Sequence, residues 1–223
     1  MSDAILFDCD STLSTVEGID LLAGRANVAD QVVPLTRAAM NGTLALEEVY
    51  ARRLDLIRPS LADTAWLGRR YVEARMIGAA ETVAALHALG WQVHIVSAGV
   101  RQAVLALAAS FDIPESRVHA VDLMFDMEGE YRDFDRASPL CRTGGKAVIC
   151  RQVLETVESA VMVGDGVTDL EAMQAGVPVI GFGGVVRRER VAKLASTYVD
   201  ASTLIAVLDT ILTPAQRARV YAG

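Results

Sequence analysis

Short apolar runs alternate with stretches of helical period along most of the chain, the pattern of a parallel sheet joined by crossover helices. Ala4 to Phe7, Val93 to Val96, Ala160 to Val163 and Val177 to Phe182 have strand length. Their unbroken apolar character predicts strands buried on both faces. Val100, Val104, Leu107 and Phe111 keep a helical period after the second run, as do Leu204, Val207, Leu208 and Ile211 near the end. Leu123 to Met127 and Tyr131 to Phe134 flank Glu128-Gly129-Glu130, which predicts a short structural hairpin beside the main sheet. The expected fold class is α/β, a Rossmann-like, doubly wound and mostly parallel sheet.

One region breaks the alternation. From about Val16 to Arg75 the pattern is helical with no convincing strand, inserted directly after the first strand. Its pieces are Glu17 to Arg25, Asp30 to Met40 ending near Asn41-Gly42, Leu46 to Ile57 stopped by Pro59, and Leu61 to Arg75. This predicts a helical cap over residues 16–75, with a core built from 1–15 and 76–223. A cap beside a catalytic loop can close over a substrate and exclude water; a decorative insertion is the plainer alternative.

The strand ends carry the candidate chemistry. A buried parallel strand leaves the sheet at its carboxyl edge, where open α/β folds keep their ligand crevice. Asp8-Cys9-Asp10-Ser11-Thr12 follows the first run, Ser97-Ala98-Gly99 the second, and Gly164-Asp165-Gly166-Val167-Thr168-Asp169 the third. Lys146 follows Gly144-Gly145 at the start of a helical stretch. Taken singly, the Asp and Ser residues read equally as turn formers and the lysine as a solvated charge. Meeting at one edge, they supply a carboxylate nucleophile, a second carboxylate, a hydroxyl, a cation and metal-ligand oxygens, which is what phosphoryl transfer through an aspartyl phosphate needs.

Charge accounting then assigns roles. An attacking carboxylate meets repulsion from an anionic phosphate unless a hard cation neutralises it, so Mg²⁺ is expected, held by Asp8 and Asp165 side chains and the Asp10 backbone carbonyl. Lys146 and Ser97 would hold the equatorial oxygens. Asp10 would protonate the departing alkoxide and then take a proton from the hydrolytic water. Asp169 is a supporting carboxylate. Only Lys146 and Lys193 are lysines among 21 basic residues, so a lysine here hints that a compact charge is wanted.

Composition narrows the partners. The 223 residues are 52% hydrophobic, ample for a core, with a net charge of -7. That acidity and a pI near 5.0 disfavour nucleic acid or an anionic membrane, since no basic stripe offsets phosphate repulsion. A small anionic substrate remains open. No membrane span or export signal is expected, and the odd set Cys9, Cys141 and Cys150 implies neither a disulfide framework nor a zinc site. The cytoplasm is the expected compartment and a monomer or homodimer the expected assembly. Cys9 is a poor nucleophile beside two carboxylates. His87, His94 and His119 lack metal-ligand spacing, and Leu140 and Ala147 stand where a Walker motif needs Gly and Ser or Thr.

Asp8-x-Asp10-x-Thr12, Ser97, Lys146 and Gly164-Asp165-Gly166-x-x-Asp169 resemble the four ordered motifs of the haloacid dehalogenase superfamily. Within it the chain resembles the phosphoserine phosphatase family over nearly its whole length. The features that carry this are Glu17-Gly18-Ile19-Asp20, Arg53 to Ser60, Gly129-Glu130-Tyr131 with Phe134-Asp135, Gly144-Gly145-Lys146 and Gly181-Phe182-Gly183-Gly184. The resemblance implies L-phosphoserine as substrate, with Glu17 on its ammonium and Arg53 on its carboxylate. It also implies substrate contacts from Met40, Ser97, Ala98, Gly99, Lys146 and Thr168. Two positions depart from the family. Ser97-Ala98-Gly99-Val100 stands where Ser-Gly-Gly-Phe is usual, and Leu46 where an aromatic residue often lies. The alternative function is therefore a related phosphatase or phosphotransferase acting on another small phosphomonoester. A signalling receiver shares the acidic pair, hydroxyl and lysine, but needs no helical insert after its first strand.

Overall fold

The computed structural model describes residues 3–221. Its strands are β1 (Asp3–Phe7), β2 (Gln92–Val100), β3 (Val118–Val121), β4 (Leu123–Phe125), β5 (Tyr131–Phe134), β6 (Ser159–Gly164), β7 (Val179–Phe182) and β8 (Thr197–Val199). Six of them form one sheet in the order β3-β2-β1-β6-β7-β8, and every pairing within it is parallel. The unbroken apolar reading of the central strands has its counterpart in burial: Ala4, Ile5, Leu6 and Phe7 are all 0% exposed, so helices cover both faces. The chain winds outward from β1 through β2 to β3, then restarts at β6 on the other side of β1. The order reverses between β1 and β6, which puts the crevice at their carboxyl ends.

Between β1 and β2 lie α1 (Gly18–Arg25), α2 (Ala29–Met40), α3 (Leu46–Ile57), α4 (Leu61–Glu73) and α5 (Ala79–Ala88). The first four carry no strand. Where the chain enters and leaves this insert its two passes run side by side: Thr15 N–H donates to Ala74 C=O at 2.8 Å and Met76 N–H to Leu13 C=O at 2.9 Å. Helix α4 begins at a reciprocal cap in which Ser60 and Asp63 satisfy each other's backbone donors. The remaining helices are α6 (Arg101–Ala109), α7 (Gly145–Leu154), α8 (Glu189–Leu194), α9 (Leu208–Ile211) and α10 (Pro214–Tyr221). Strands β4 and β5 form the separate antiparallel hairpin, which braces the corner between α3 and α4. Leu61 N–H donates to Gly129 C=O at 2.8 Å, and Arg58 to Tyr131 C=O at 3.1 Å.

Several boundaries differ from the sequence expectation. The last predicted strand starts two residues late because Pro178 has no N–H for the ladder, although its carbonyl accepts from Met162 N–H at 2.9 Å. Strand β2 runs past Val96 to Val100, resuming its pairing with β3 at Val100 and Val121 after an irregular step. The expected single helix from Leu204 is a 3₁₀ turn, Leu204–Val207, followed by the short α9.

The histidines of β2 and β3 pack together: His94 Nδ1 and His119 Nε2 lie 3.2 Å apart, with the rings stacked. Burial first, then the neighbouring His119 charge, lowers His94 from 6.5 to about 4. The unfolded chain therefore binds more protons between those values, and stability present above pH 6.5 is lost as the pH falls. Urea unfolding from pH 7 to pH 5 is expected to cost the parent about 2 kcal/mol more than a His94→Leu variant. Equal losses in the two proteins would contradict the assignment.

Candidate active site

Adjacent strands β1 and β6 deliver the first two carboxylates to the crevice. Asp8 N–H donates to Val163 C=O at 2.9 Å, extending the β1–β6 ladder by one residue before the chain turns away. The turn over Cys9–Leu13 is wide, closed by Ser14 N–H on Cys9 C=O at 3.0 Å, and carries Ser11 at a φ of 53°. Asp8 Oδ1 accepts from Cys9 N–H at 2.8 Å and from Lys146 Nζ at 2.9 Å. Lys146 stands in the first turn of α7, whose N-terminus is anchored by Glu171: its carboxylate accepts from Lys146 N–H at 3.2 Å. Asp165 follows β6 directly, and Asp169 lies one turn further on.

Lys146 is 3% exposed and bridges Asp8 and Asp169, the latter at 2.5 Å. Burial alone would lower its pKa, but the charges of Asp169 and Asp8 outweigh burial and hold it as an ammonium. Asp8, Asp165 and Asp169 each offer a carboxylate oxygen, all within 4.8 Å of one another. Burial, followed by the charges of Asp8, Glu17 and Asp169, pushes the Asp165 carboxyl well above its usual range. Three hard oxygen donors packed this closely, one of them forced toward its neutral form, fit a small divalent cation. The Arg188 guanidinium supplies part of the missing charge, with Nε 3.0 Å from Asp165 Oδ2 and Nη2 3.7 Å from Glu17 Oε1.

Asp10 faces a different environment. Its Oδ1 accepts from Gly18 N–H at 2.8 Å and from the Tyr71 hydroxyl at 2.7 Å. Burial, then the charges of Glu17 and Asp8, raises this carboxyl well above the ordinary carboxylate range. A carboxyl whose proton is held more tightly than usual is suited to general-acid work. On β2, Ser97 Oγ accepts from Gly99 N–H at 2.9 Å, which leaves the hydroxyl proton free to point into the cavity. The Cys9 thiol is driven up by burial and by Asp10 and Asp8, so it is no thiolate.

The insert closes the other side. Met40 C=O, at the end of α2, accepts from Val167 N–H at 3.4 Å, which brings that helix end beside Thr168. Arg53 of α3 is 5% exposed; its Nη1 donates to Thr36 Oγ1 at 3.3 Å, and its Nε has no hydrogen-bond partner among the described residues. Burial lowers its pKa, while the nearby carboxylates of Asp20 and Glu17 oppose that shift. Glu17 Oε1 accepts from Ser11 Oγ at 2.8 Å. One cavity is lined by Asp8, Asp10, Glu17, Met40, Arg53, Ser97, Ala98, Gly99, Lys146, Asp165 and Thr168. All the side chains singled out from the sequence as catalytic, substrate-binding or metal-binding thus meet in one place. Sequence reasoning missed three that touch them. Tyr50 donates its hydroxyl to Ala98 C=O at 2.9 Å, Tyr71 holds Asp10, and Arg188 holds Asp165. A tyrosine on the buried stripe of a helix reads as core; the only signal was its polar tip.

The sequence pattern of the haloacid dehalogenase-like hydrolases matches residues 2–176. The phosphoserine phosphatase of Bos taurus is 37% identical over 211 residues, covering 93% of this chain and 94% of that protein. The phosphoserine phosphatase of Homo sapiens is 36% identical over 200 residues, 89% of each chain. A solved structure of a phosphoserine phosphatase with an analogue of its phospho-aspartyl intermediate aligns with a TM-score of 0.83, at 26% identity, over 95% of this chain and 99% of that one. Similarity of this extent, over a chain whose motif residues converge on one cavity, means that the protein is a hydrolase of the haloacid dehalogenase-like family, in its phosphoserine phosphatase branch.

Proposed function

We propose that this enzyme hydrolyses L-phosphoserine to L-serine and inorganic phosphate through a phosphorylated Asp8. The observation that carries the substrate is Arg53, a buried guanidinium whose Nε has no partner among the described residues, in the same cavity as Asp8 and Lys146. A buried guanidinium donor without a partner is costly, and a carboxylate matches its planar fork. Glu17, across the cavity, suits the ammonium group. The relatives named above act in the same sense, as phosphoserine phosphatases.

The chemistry follows in two balanced halves. An Asp8 oxygen attacks phosphorus, the ester P–O bond breaks, and its electron pair leaves with the serine oxygen, which takes the proton from Asp10. Asp10, now a carboxylate, removes a proton from water as that water attacks the acyl phosphate. The P–O bond to Asp8 breaks, its electron pair returns to the carboxylate, and phosphate departs. Lys146 and Ser97 hold the equatorial oxygens through both halves. Asp8 and Asp165 side chains with the Asp10 backbone carbonyl would hold Mg²⁺, supported by Asp169. Bound there, the ion would neutralise the phosphate against the approaching carboxylate. Residues 16–75 serve as the cap that selects the substrate, over a core of 1–15 and 76–223. Three free, buried cysteines suit a reducing compartment, hence the cytoplasm, and a monomer or homodimer suffices because the cavity is lined from one chain. Among the described residues no helix is long and apolar enough to cross a membrane.

The test is a panel of phosphomonoesters read as kcat/KM, with L-phosphoserine expected to lead. Arg53→Ala should lower kcat/KM for L-phosphoserine by about 10- to 100-fold, the worth of a charge-assisted contact, and leave phosphoethanolamine nearly unchanged. Equal losses on both would remove Arg53 from the carboxylate. A parent enzyme without preference for L-phosphoserine would shift the reading to another small phosphomonoester, with Ala98 and Val100 the first residues to examine.

A further inference from the structure

Tyr71 is the largest fully buried side chain among the described residues, 0% exposed, and its hydroxyl ends on the candidate acid. A buried phenol needs an acceptor, yet this one shares its acceptor with Gly18 N–H, so that Asp10 Oδ1 receives two donors at 2.7 and 2.8 Å. Both lone-pair directions of that oxygen are thereby engaged. Oδ2 is the oxygen left to handle a proton. It looks onto the bare face of Gly99: a methyl placed there would lie 3.5 Å from Asp10 Oδ2, 3.5 Å from the Tyr71 hydroxyl and 3.0 Å from Ser97 Oγ. The space in front of Gly99 is therefore bordered by the acid oxygen, the phosphate-facing serine and the phenol.

The phenol is also held in place by its surroundings. A methyl on Gly18 would run into the Tyr71 hydroxyl, so the absence of a side chain at Gly18 is what lets both donors reach one oxygen. Helix α4, which carries Tyr71, is seated closely on α6, since a methyl at Gly68 would come within 2.8 Å of Ala106 Cβ. The insert thus contributes a group fixed against the core, separate from the substrate-facing Arg53.

We infer that Tyr71 is a positioning residue for proton transfer: with Gly18 N–H it pins Oδ1 of Asp10 and so directs Oδ2 at the leaving serine oxygen. In the first half-reaction the Oδ2 proton passes to that oxygen as the P–O bond breaks; in the second, Oδ2 takes a proton from the attacking water. The inference rests on the reading of Asp10 as general acid in the proposed phosphatase, and Tyr71 itself touches no reacting atom.

The test measures single-turnover release of the alcohol from L-phosphoserine and from 4-nitrophenyl phosphate, whose leaving group needs no proton. Tyr71→Phe keeps the ring and removes only the hydroxyl. It is expected to slow serine release by about 10- to 100-fold and nitrophenol release by less than about threefold, with KM for L-phosphoserine little changed. In an Asp10→Asn background the same change should cost nothing further, because the two residues act as one unit. Gly18→Ala, which displaces the phenol without deleting it, should give the same leaving-group pattern. Equal slowing on both substrates, an additive loss in the double variant, or no loss in Tyr71→Phe would each overturn the inference. A parent unable to turn over L-phosphoserine would instead overturn the proposed function. A parent that does so, with Asp10→Asn impaired and Tyr71→Phe normal, would overturn the positioning role alone.

Discussion

Asp8→Asn is expected to abolish turnover, with a loss on the order of 10⁴- to 10⁶-fold in kcat, as for other enzymes deprived of a covalent nucleophile. The reason is position as well as charge. Asp8 is the first residue past β1, tied to β6 through Val163 and to Lys146 at 2.9 Å, so its carboxylate is both anchored and electrostatically steadied at the sheet's carboxyl edge. Asparagine keeps the size and the contact with Cys9 N–H, and it relieves the crowding with Asp165 and Asp169. The variant should therefore fold, leaving Lys146 paired to Asp169 alone. Near-normal kcat in a preparation free of deamidation and contaminating phosphatase would mean that the nucleophile lies elsewhere.

Asp10→Asn is the second large effect, about 10²- to 10⁴-fold on single-turnover release of serine, the usual contribution of a general acid. An amide cannot give up a proton to an alkoxide, so the loss should track the basicity of the leaving group. Release of 4-nitrophenol should fall far less. Asparagine still accepts from Gly18 and Tyr71 through its carbonyl, so the local geometry survives and the comparison isolates the proton. Equal losses on aryl and alkyl substrates would point to a structural or metal-holding role for Asp10. Burial, then the charges of Glu17 and Asp8, raises the Asp10 carboxyl above the ordinary carboxylate range, the direction a general acid requires.

Much of this arrangement was legible in the sequence because it follows from periodicity and strand ends. Helix α3 matches the expected Leu46 to Ile57 to the residue. The apolar period ends where Arg58 takes a left-handed turn, at a φ of 47°, ahead of Pro59. Edge strands β3 and β8 were not legible. They span four and three residues, and His119 in one and Thr197 and Tyr198 in the other break the apolar run that marks a central strand. The carboxylates at the strand ends could be read because a buried parallel strand must hand its next residue to the crevice. Tyr50, Tyr71 and Arg188 could not, for their roles depend on which helix face or distant loop meets that crevice, and helical spacing cannot tell a core tyrosine from one whose hydroxyl reaches a carboxylate. Arg188 comes from the segment after β7, far from Asp165 in sequence, and only the sheet order brings them together.

The most direct measurement of the central claim is an acid-quenched single turnover of L-phosphoserine labelled with ³²P, followed by peptide mapping. The account predicts label on the peptide bearing Asp8, appearing with the release of serine and disappearing with the release of phosphate, and absent in Asp8→Asn. Phosphate released with no labelled enzyme at any quench time, although the chemistry is fast enough to be caught, or label carried by another residue, would contradict it.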